Sequence, residues 1–250
     1  GYKKTSVTKK SGEKSHLFSK YIKNFKGKNN SENTLNLSFQ NISNDKYLKL
    51  YKINSNLVDY NIDTLENSIS FTHNTKDLFI GANAKIFETL KDSYNDKYEY
   101  ILPEAFIDKN IFNNDLGNLD LQSNLKVHNY DTNKFTKFLV NDFNWNSKDF
   151  YLDNGLYSKI LGNFKNINYE ANNVDLYKKD FTNEVHAAFG LLSELKLQKK
   201  TSSSKHFFTP KLLLRYAPGQ MRQEDDDTKL DPIRAFSMNK VNDINNFEKG

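Results

Sequence analysis

The sequence predicts an all-β protein, and more specifically part of an antiparallel transmembrane β-barrel with about ten to twelve long strands. Three observations lead to this class. Apolar and polar residues alternate with a period of two along most of the 250 residues, and no segment of eleven or more residues has a helical period. The composition is polar overall, with a mean hydropathy of −0.78, yet 14% of the residues are aromatic. The predicted strands span roughly eight to twelve residues, whereas strands of ordinary globular proteins average about five or six.

Composition excludes several classes of site. The chain has no cysteine, so zinc sites built on thiolates, thiol nucleophiles and disulfide frameworks are absent. The net charge is +5 and comes mostly from lysine, because the only arginines are Arg215, Arg222 and Arg234. Arginine is the better bidentate reader of phosphates and bases, so we expect no nucleic-acid partner. No run of about 18 apolar residues predicts a transmembrane helix.

The first half of the chain predicts paired strands with turns between them. Alternation predicts strands over 17–25, 35–39, 65–71, 78–86 and 98–102. Residues 41–48 predict turn residues followed by a short helical turn, within a less regular stretch over 41–63. Pro103 should close its strand, because proline cannot donate to a ladder, and 110–118 should form a loop.

The second half predicts strands over 119–127, 135–145 and 151–164, then a polar loop over 166–179. A hairpin follows, with one strand through 185–197, a polar turn over 199–205 and a return strand over 206–216. If the strands line a barrel, the apolar positions of the hairpin should face lipid: Val185, Phe189, Leu191, Leu195 and Leu197. The polar positions should face the lumen: Lys126, His128, His186, Glu194 and Lys196.

Candidate sites for chemistry are few. The acidic run Glu224, Asp225, Asp226 and Asp227 is a candidate for a divalent cation, since hard cations bind clustered carboxylates. It lacks the spacing and the glycine of an EF-hand, so a solvated loop is the favoured alternative. The five histidines are scattered and show no metalloprotease spacing. Without a nucleophile elbow, a P-loop or a dinucleotide fingerprint, we predict no catalytic residue, no cofactor and no enzymatic activity.

Four short stretches together carry a family resemblance. In order and spacing they resemble the barrel domain of the LptD family, the outer-membrane lipopolysaccharide-assembly proteins also called organic solvent tolerance proteins. The stretches are NDKYL at 44–48 with Asp59, YEYILP at 98–103, TPK at 209–211 running into RYAPG at 215–219, and AFSMN at 235–239 followed by DINNFE at 243–248. The last two are the more specific.

The resemblance implies transport rather than chemistry. Residues 1–250 would be a single segment from the interior of the barrel, without the periplasmic jellyroll that precedes the barrel in the family. The barrel would lie in the Gram-negative outer membrane and release lipopolysaccharide sideways into the outer leaflet. Implied partners are lipopolysaccharide, a plug lipoprotein like LptE, and the periplasmic bridge protein LptA, reached through the jellyroll.

Two other functions remain open from the residues alone. One is a porin-like diffusion channel, which would end in a strand with a C-terminal aromatic residue. The sequence has Phe247 followed by Glu-Lys-Gly, which weakens that alternative. The other is a soluble all-β module that binds glycans, which would need two packed sheets and strands of ordinary length.

Overall fold

A computed structural model describes residues 14–91, 96–131, 133–152, 155–175 and 177–217, and its architecture is all-β. A short α-helix, α1 (Tyr47–Tyr51), and a 3₁₀ turn at Lys28–Asn30 are the helical elements of these residues. The strands are β1 (His16–Lys26), β2 (Glu32–Ile42), β3 (Thr64–Asn74), β4 (Leu78–Thr89), β5 (Tyr98–Asn114), β6 (Gly117–Asp131), β7 (Lys134–Asn146), β8 (Phe150–Tyr151), β9 (Leu156–Asn172), β10 (Thr182–Leu195), β11 (Leu197–Lys200), β12 (Lys205–Phe208) and β13 (Lys211–Tyr216).

The strands form one antiparallel sheet and one small hairpin. The sheet has the order β1-β2-β3-β4-β5-β6-β7-β9-β10-β13, and β8 pairs with β9 at its side. The hairpin consists of β11 and β12 alone. No pairing joins β1 to β13 within the described residues, so the sheet is not closed into a barrel there. The predicted all-β class is therefore confirmed, and the barrel stays a prediction.

The structure corrects four details of the predicted strands. Pro103 lies inside β5 rather than at its end, and β5 continues to Asn114, so the loop predicted over 110–118 is wrong. Strand β9 continues to Asn172 through much of the polar loop predicted over 166–179. The return strand predicted over 206–216 is broken at 209–210 into β12 and β13. The helical turn predicted near residue 48 is confirmed by α1.

The first compact unit comprises Gly1–Ile107, Asn124–Leu139 and Tyr169–Phe181. Its regular part is the β1-β2-β3-β4 meander, in which Tyr21 pairs with Leu37 and Leu37 pairs with Ile69. A small hydrophobic core lies where α1 and the loop after it meet the strand ends: Ile42, Tyr47, Leu48, Val58, Leu65 and Leu90. Leu48 and Leu65 have no exposed surface. This core gives the long β2–β3 connection a fixed position against the strands.

The second compact unit comprises Asp108–Ser123, Val140–Asn168 and Thr182–Gly250. Strand β10 pairs with β13 from Phe189 opposite Tyr216 to Glu194 opposite Lys211. The β11–β12 hairpin lies between these two strands in sequence, and all eight of its strand residues are exposed. The turn before β6 uses Gly117 at φ +118°, a conformation that favours glycine.

Candidate functional site: two sheet faces of opposite character

An exposed apolar face covers the β1–β4 meander of the first unit. Residues directly opposite each other in a ladder share a face, so the register places Tyr21, Leu37 and Ile69 together. Tyr21 and Ile69 are each 49% exposed and Phe39 is 47% exposed. Leu37 and Phe71, on the same face, are each 36% exposed. With about 200 Å² for a fully exposed side chain, these five residues together expose roughly 400 Å² of apolar surface. A patch of roughly this size is the largest on a typical monomeric protein and is often functional.

The opposite face of β2 and β3 is polar, and its middle is uncharged. Thr34 lies opposite Thr72, and Ser38 lies opposite Ser68. Between these pairs lies Asn36, whose side-chain oxygen is buried and accepts no hydrogen bond. Hydroxyl and amide groups therefore form a continuous strip on this face. Such groups bind water or sugar hydroxyls, whereas the reverse face offers almost only carbon.

Charged residues of β4, β5 and β6 come together in the first unit around Glu104. Its carboxylate lies 3.6 Å from the Lys85 ammonium and 4.0 Å from the Lys126 ammonium, and accepts a 3.3 Å hydrogen bond from Asn83. Lys126 is one of the residues predicted to face a lumen, and the structure places it in this cluster. The Glu104 carboxylate is therefore shared between two lysines and an amide.

His128, a second predicted lumen residue, is buried beside the charged cluster. Its Nε2 contacts the Glu99 carboxylate, and its ring lies 3.6 Å from the Tyr130 ring, measured between centroids. Glu99 contacts His128, and Glu104 lies near Lys126. His128 and Lys126 are two positions apart in β6 and share a face, whereas Glu99 and Glu104 are five positions apart in β5 and would lie on opposite faces of a regular strand. Alternation in β5 therefore changes phase around Pro103, as it does where a strand carries one extra residue. Pro103 is the sequence signal for such a shift, because proline inside a sheet occurs at edge strands or bulges.

In the second unit, exposed apolar residues again share one face. Phe189 pairs with Tyr216 and Leu191 with Leu214, and Val185 lies four positions from Phe189 along β10. Val185 and Phe189 are each 56% exposed. The predicted lipid-facing residues Val185, Phe189 and Leu191 therefore lie together. Leu195 is half-buried at the end of β10, and Leu197 lies in the separate hairpin strand β11.

The single tryptophan, Trp145, lies on an apolar face of the same unit. It is two positions from Phe143 in β7, and Phe143 lies 6.0 Å from the exposed Phe164 of β9 between ring centroids. Residues two apart in a strand point the same way, so Trp145 shares the side of Phe143 and Phe164. The chain has one tryptophan, which makes this residue an unambiguous fluorescent reporter.

The remaining predicted lumen residues contact charged side chains in the second unit. Glu194 lies 3.3 Å from the Lys196 ammonium and 3.4 Å from the Lys211 ammonium. Lys196 also lies 4.2 Å from the centroid of the Tyr157 ring. His186 lies 3.4 Å from Glu184. Glu194 pairs with Lys211 and follows Leu192 by two positions, so it lies opposite the face of Leu191 and Leu214.

A buried ion pair joins β7 to β9. The Lys165 ammonium lies 3.2 Å from the Asp142 carboxylate, and the two side chains are only 6% and 13% exposed. Asn163 donates a 2.7 Å hydrogen bond to the same carboxylate and a 2.8 Å bond to Asn144. The sequence does not reveal this pair, because its two residues are 23 positions apart in the chain. Buried charges need such partners, since an unpaired charge is strongly disfavoured away from water.

Ion pairs also fix the connections outside the strands. Lys97, before β5, lies 2.7 Å from Glu88 and 3.0 Å from Asp45. Burial lowers the pKa of Lys97, but the hydrogen bonds to Glu88 and Asp45 outweigh burial and raise this pKa well above its ordinary value. In the turn between β5 and β6, a hydrogen bond from Lys148 and its charge lower the pKa of Asp115. Lys97 is therefore held as a cation.

The acidic run Glu224, Asp225, Asp226 and Asp227 lies outside the described residues, as do the two stretches at 235–239 and 243–248. Among the residues that the structure describes, no three His, Asp or Glu side chains are grouped to hold a metal ion. In the same part of the chain, no helix has the length and apolar character needed to cross a membrane. Neither the models of known protein families nor the curated proteins match this chain.

Proposed function

We propose that this chain forms part of a β-barrel in the Gram-negative outer membrane and takes part in lipopolysaccharide transport and assembly. The observation that carries the membrane part is the pair of opposite faces, one apolar and exposed, the other polar. Lipid satisfies no backbone hydrogen bond, so sheets cross membranes only as closed barrels with apolar residues outside. The polar side then lines a water-filled interior.

Strand length supports the same proposal. Strands β1 to β3 each have 11 residues and β4 has 12. At about 3.3 Å per residue, 11 residues extend roughly 36 Å, and a tilt near 45° reduces this to about 25 Å along the membrane normal. That height equals the apolar band of outer-membrane barrels, which is about 25 Å tall.

The choice of lipopolysaccharide as the transported molecule rests on the family resemblance, and the polar residues are compatible with it. The uncharged strip of Thr34, Asn36, Ser38 and their partners suits the hydroxyl groups of sugars. The ammonium groups of Lys85 and Lys126 in the adjacent cluster suit phosphate groups. A porin-like channel shares the two faces but needs neither feature.

The membrane part is tested with Trp145. The full chain is folded into vesicles that contain brominated phosphatidylcholine, and tryptophan fluorescence is measured. Because bromine quenches tryptophan on contact, we expect strong quenching of Trp145. The control variant W145F/Q122W moves the tryptophan to Gln122, which is exposed and bonds Asp108. The next residue, Ser123, bonds Asn141, which shares the face of Trp145 in β7, so Gln122 lies on the opposite face. That variant should be quenched by aqueous iodide and not by the lipid.

One result would contradict the proposed membrane location. A chain that stays in solution as a cooperatively unfolding monomer, with Trp145 unaffected by brominated lipid, contradicts it and favours the soluble module that binds glycans.

The transport part is tested separately in a Gram-negative host. A photo-crosslinking amino acid replaces Lys126 in the full chain, and immunoblots detect adducts with lipopolysaccharide. We expect adducts at this position and none at the Phe71 position, on the apolar face. Ion conductance in planar bilayers together with no adduct at either position indicates a diffusion channel and rejects the transport proposal.

A further inference from the structure

The β11–β12 hairpin differs from the rest of the second unit in its exposure and charge. Leu197, Phe207 and Phe208 are 46%, 71% and 66% exposed. From 195 to 217 the sequence has six basic residues, Lys196, Lys199, Lys200, Lys205, Lys211 and Arg215, and no acidic residue. A hairpin of two strands is at best marginally stable in water, and this one exposes two phenylalanines. The surface of the hairpin is therefore complementary to a partner that is both apolar and anionic.

The lysines of the hairpin are available to such a partner. Lys196 and Lys211 both contact Glu194. By contrast, Lys199, Lys200 and Lys205 form no ion pair with any residue in the part of the chain that the structure describes. They lie beside the turn, where Lys200 pairs with Lys205 across the ladder. Like charges directly opposite each other are unfavourable unless an anion lies near both.

The apolar and basic residues lie at opposite ends of the hairpin. Leu197 pairs with Phe208 at the end next to the sheet, and Lys200 pairs with Lys205 at the end next to the turn. A bond of 3.1 Å from the Leu195 amide to the Pro210 carbonyl closes the base. From Phe208 to Lys205 is three residues, or about 10 Å. Aromatic residues favour the boundary of the hydrocarbon layer, and lysines favour the headgroups beyond it.

We propose that the β11–β12 hairpin binds the phosphate headgroups of anionic lipids, with Phe207 and Phe208 at the hydrocarbon boundary and the three lysines among the phosphates. This inference rests on the proposed membrane location of the chain. It adds to the proposed function that the bound lipids are anionic and that they bind at this hairpin. Neither the two faces of the sheet nor the family resemblance indicates this. The turn keeps the lysines together, because Thr201 and Ser204 bond each other through backbone and side-chain groups at 2.8–3.1 Å.

The test compares two quenchers at equal mole fraction in vesicles: brominated phosphatidylglycerol, which is anionic, and brominated phosphatidylcholine, which is not. The variant W145F/F208W carries its one tryptophan at the base of the hairpin. We expect phosphatidylglycerol to bind there at least about fivefold more strongly, since each lysine near an anionic surface contributes roughly 1 kcal/mol and one alone gives that factor. Trp145 in the unmodified chain should be quenched equally by both lipids.

The lysines are tested by adding K199Q, K200Q and K205Q to W145F/F208W. These substitutions should abolish the preference for phosphatidylglycerol, so that the two lipids bind about equally. A matched control with K20Q, K23Q and K26Q changes the net charge equally, in β1, and should keep the preference. A preference that survives the loss of the hairpin lysines overturns the proposal. So does a tryptophan at 208 that neither lipid quenches while Trp145 is quenched.

Two further outcomes separate this inference from the proposed function and from other partners. If no lipid quenches Trp145, the membrane location itself fails, and the hairpin inference fails with it. If mixed-sequence single-stranded RNA protects the tryptophan at 208 from iodide and brominated lipid leaves it unquenched, the basic hairpin binds nucleic acid instead. That result overturns the headgroup proposal.

Discussion

Replacing Asp142 by leucine should destabilise the chain by about 3–5 kcal/mol, because it leaves Lys165 buried without its carboxylate. The two charged groups are 3.2 Å apart and almost fully buried. Replacing Lys165 by methionine should cost less, since Asp142 keeps its hydrogen bonds from Asn163 and Asn144. The double variant D142L/K165M should recover most of the loss, because well-packed apolar pairs often replace buried ion pairs without cost.

The assay is urea unfolding of the folded chain, followed by the fluorescence of Trp145. The four proteins of the cycle give a coupling free energy between the two positions, which we expect to be at least about 2 kcal/mol. A matched control uses Lys137 and Glu170, whose charged groups are 3.0 Å apart but 48% and 41% exposed. Their coupling should stay below about 1 kcal/mol. Additive losses at Asp142 and Lys165 would refute the reasoning from burial.

Three further changes test other parts of the structure. L48A should cost about 2–5 kcal/mol in urea unfolding, because Leu48 is fully buried in the small core, and a loss below 1 kcal/mol contradicts that core. G117A should cost at least about 1–3 kcal/mol, because φ is +118° and a Cβ would lie 2.1 Å from the Asn146 carbonyl oxygen; an unchanged midpoint contradicts this geometry. K148A should raise the pKa of Asp115 toward its ordinary value in an NMR titration, since Lys148 lowers it. The stabilisation from this pair is present above the ordinary carboxyl pKa and is lost as the pH falls through the lowered value, so a pKa unmoved by K148A contradicts the ion pair.

The sequence predicted the strands well where alternation was regular. Strands β1 to β4 have apolar residues at most alternate positions, and each was predicted within a few residues of its bounds. In β9, Ile167, Tyr169 and Ala171 alternate in the same way. The polar residues between them are asparagine and glutamate, which are typical of loops, so composition concealed the period of two.

Contacts between strands were harder to predict than the strands themselves. The meeting of His128 with Glu99, and of Lys126 with Glu104, depends on the change of phase near Pro103. The pairing of Asp142 with Lys165 depends on the register between β7 and β9. A shift of register by one residue moves every side chain to the other face, and alternation alone does not define the register.

Lysines on the apolar face provide the sharpest test of the membrane proposal. Lys23 shares a face with Tyr21 and Phe25 but lies three residues from the end of β1, where a long side chain reaches the headgroups. Leu37 is the sixth of the eleven residues of β2, and it is 36% exposed. In lipid, L37K should cost about 2–4 kcal/mol, the loss for lysine at the midplane.

In water the same exposed position should tolerate lysine within about 0.5 kcal/mol. Unfolding of L37K in vesicles and in lipid-free buffer therefore separates the two environments for one and the same substitution. The control S38K places the lysine one residue later, on the opposite, polar face, where the vesicle measurement should show little loss. Equal and small losses for L37K and S38K in vesicles would mean that the apolar face meets water or protein, and the membrane proposal would have to be abandoned.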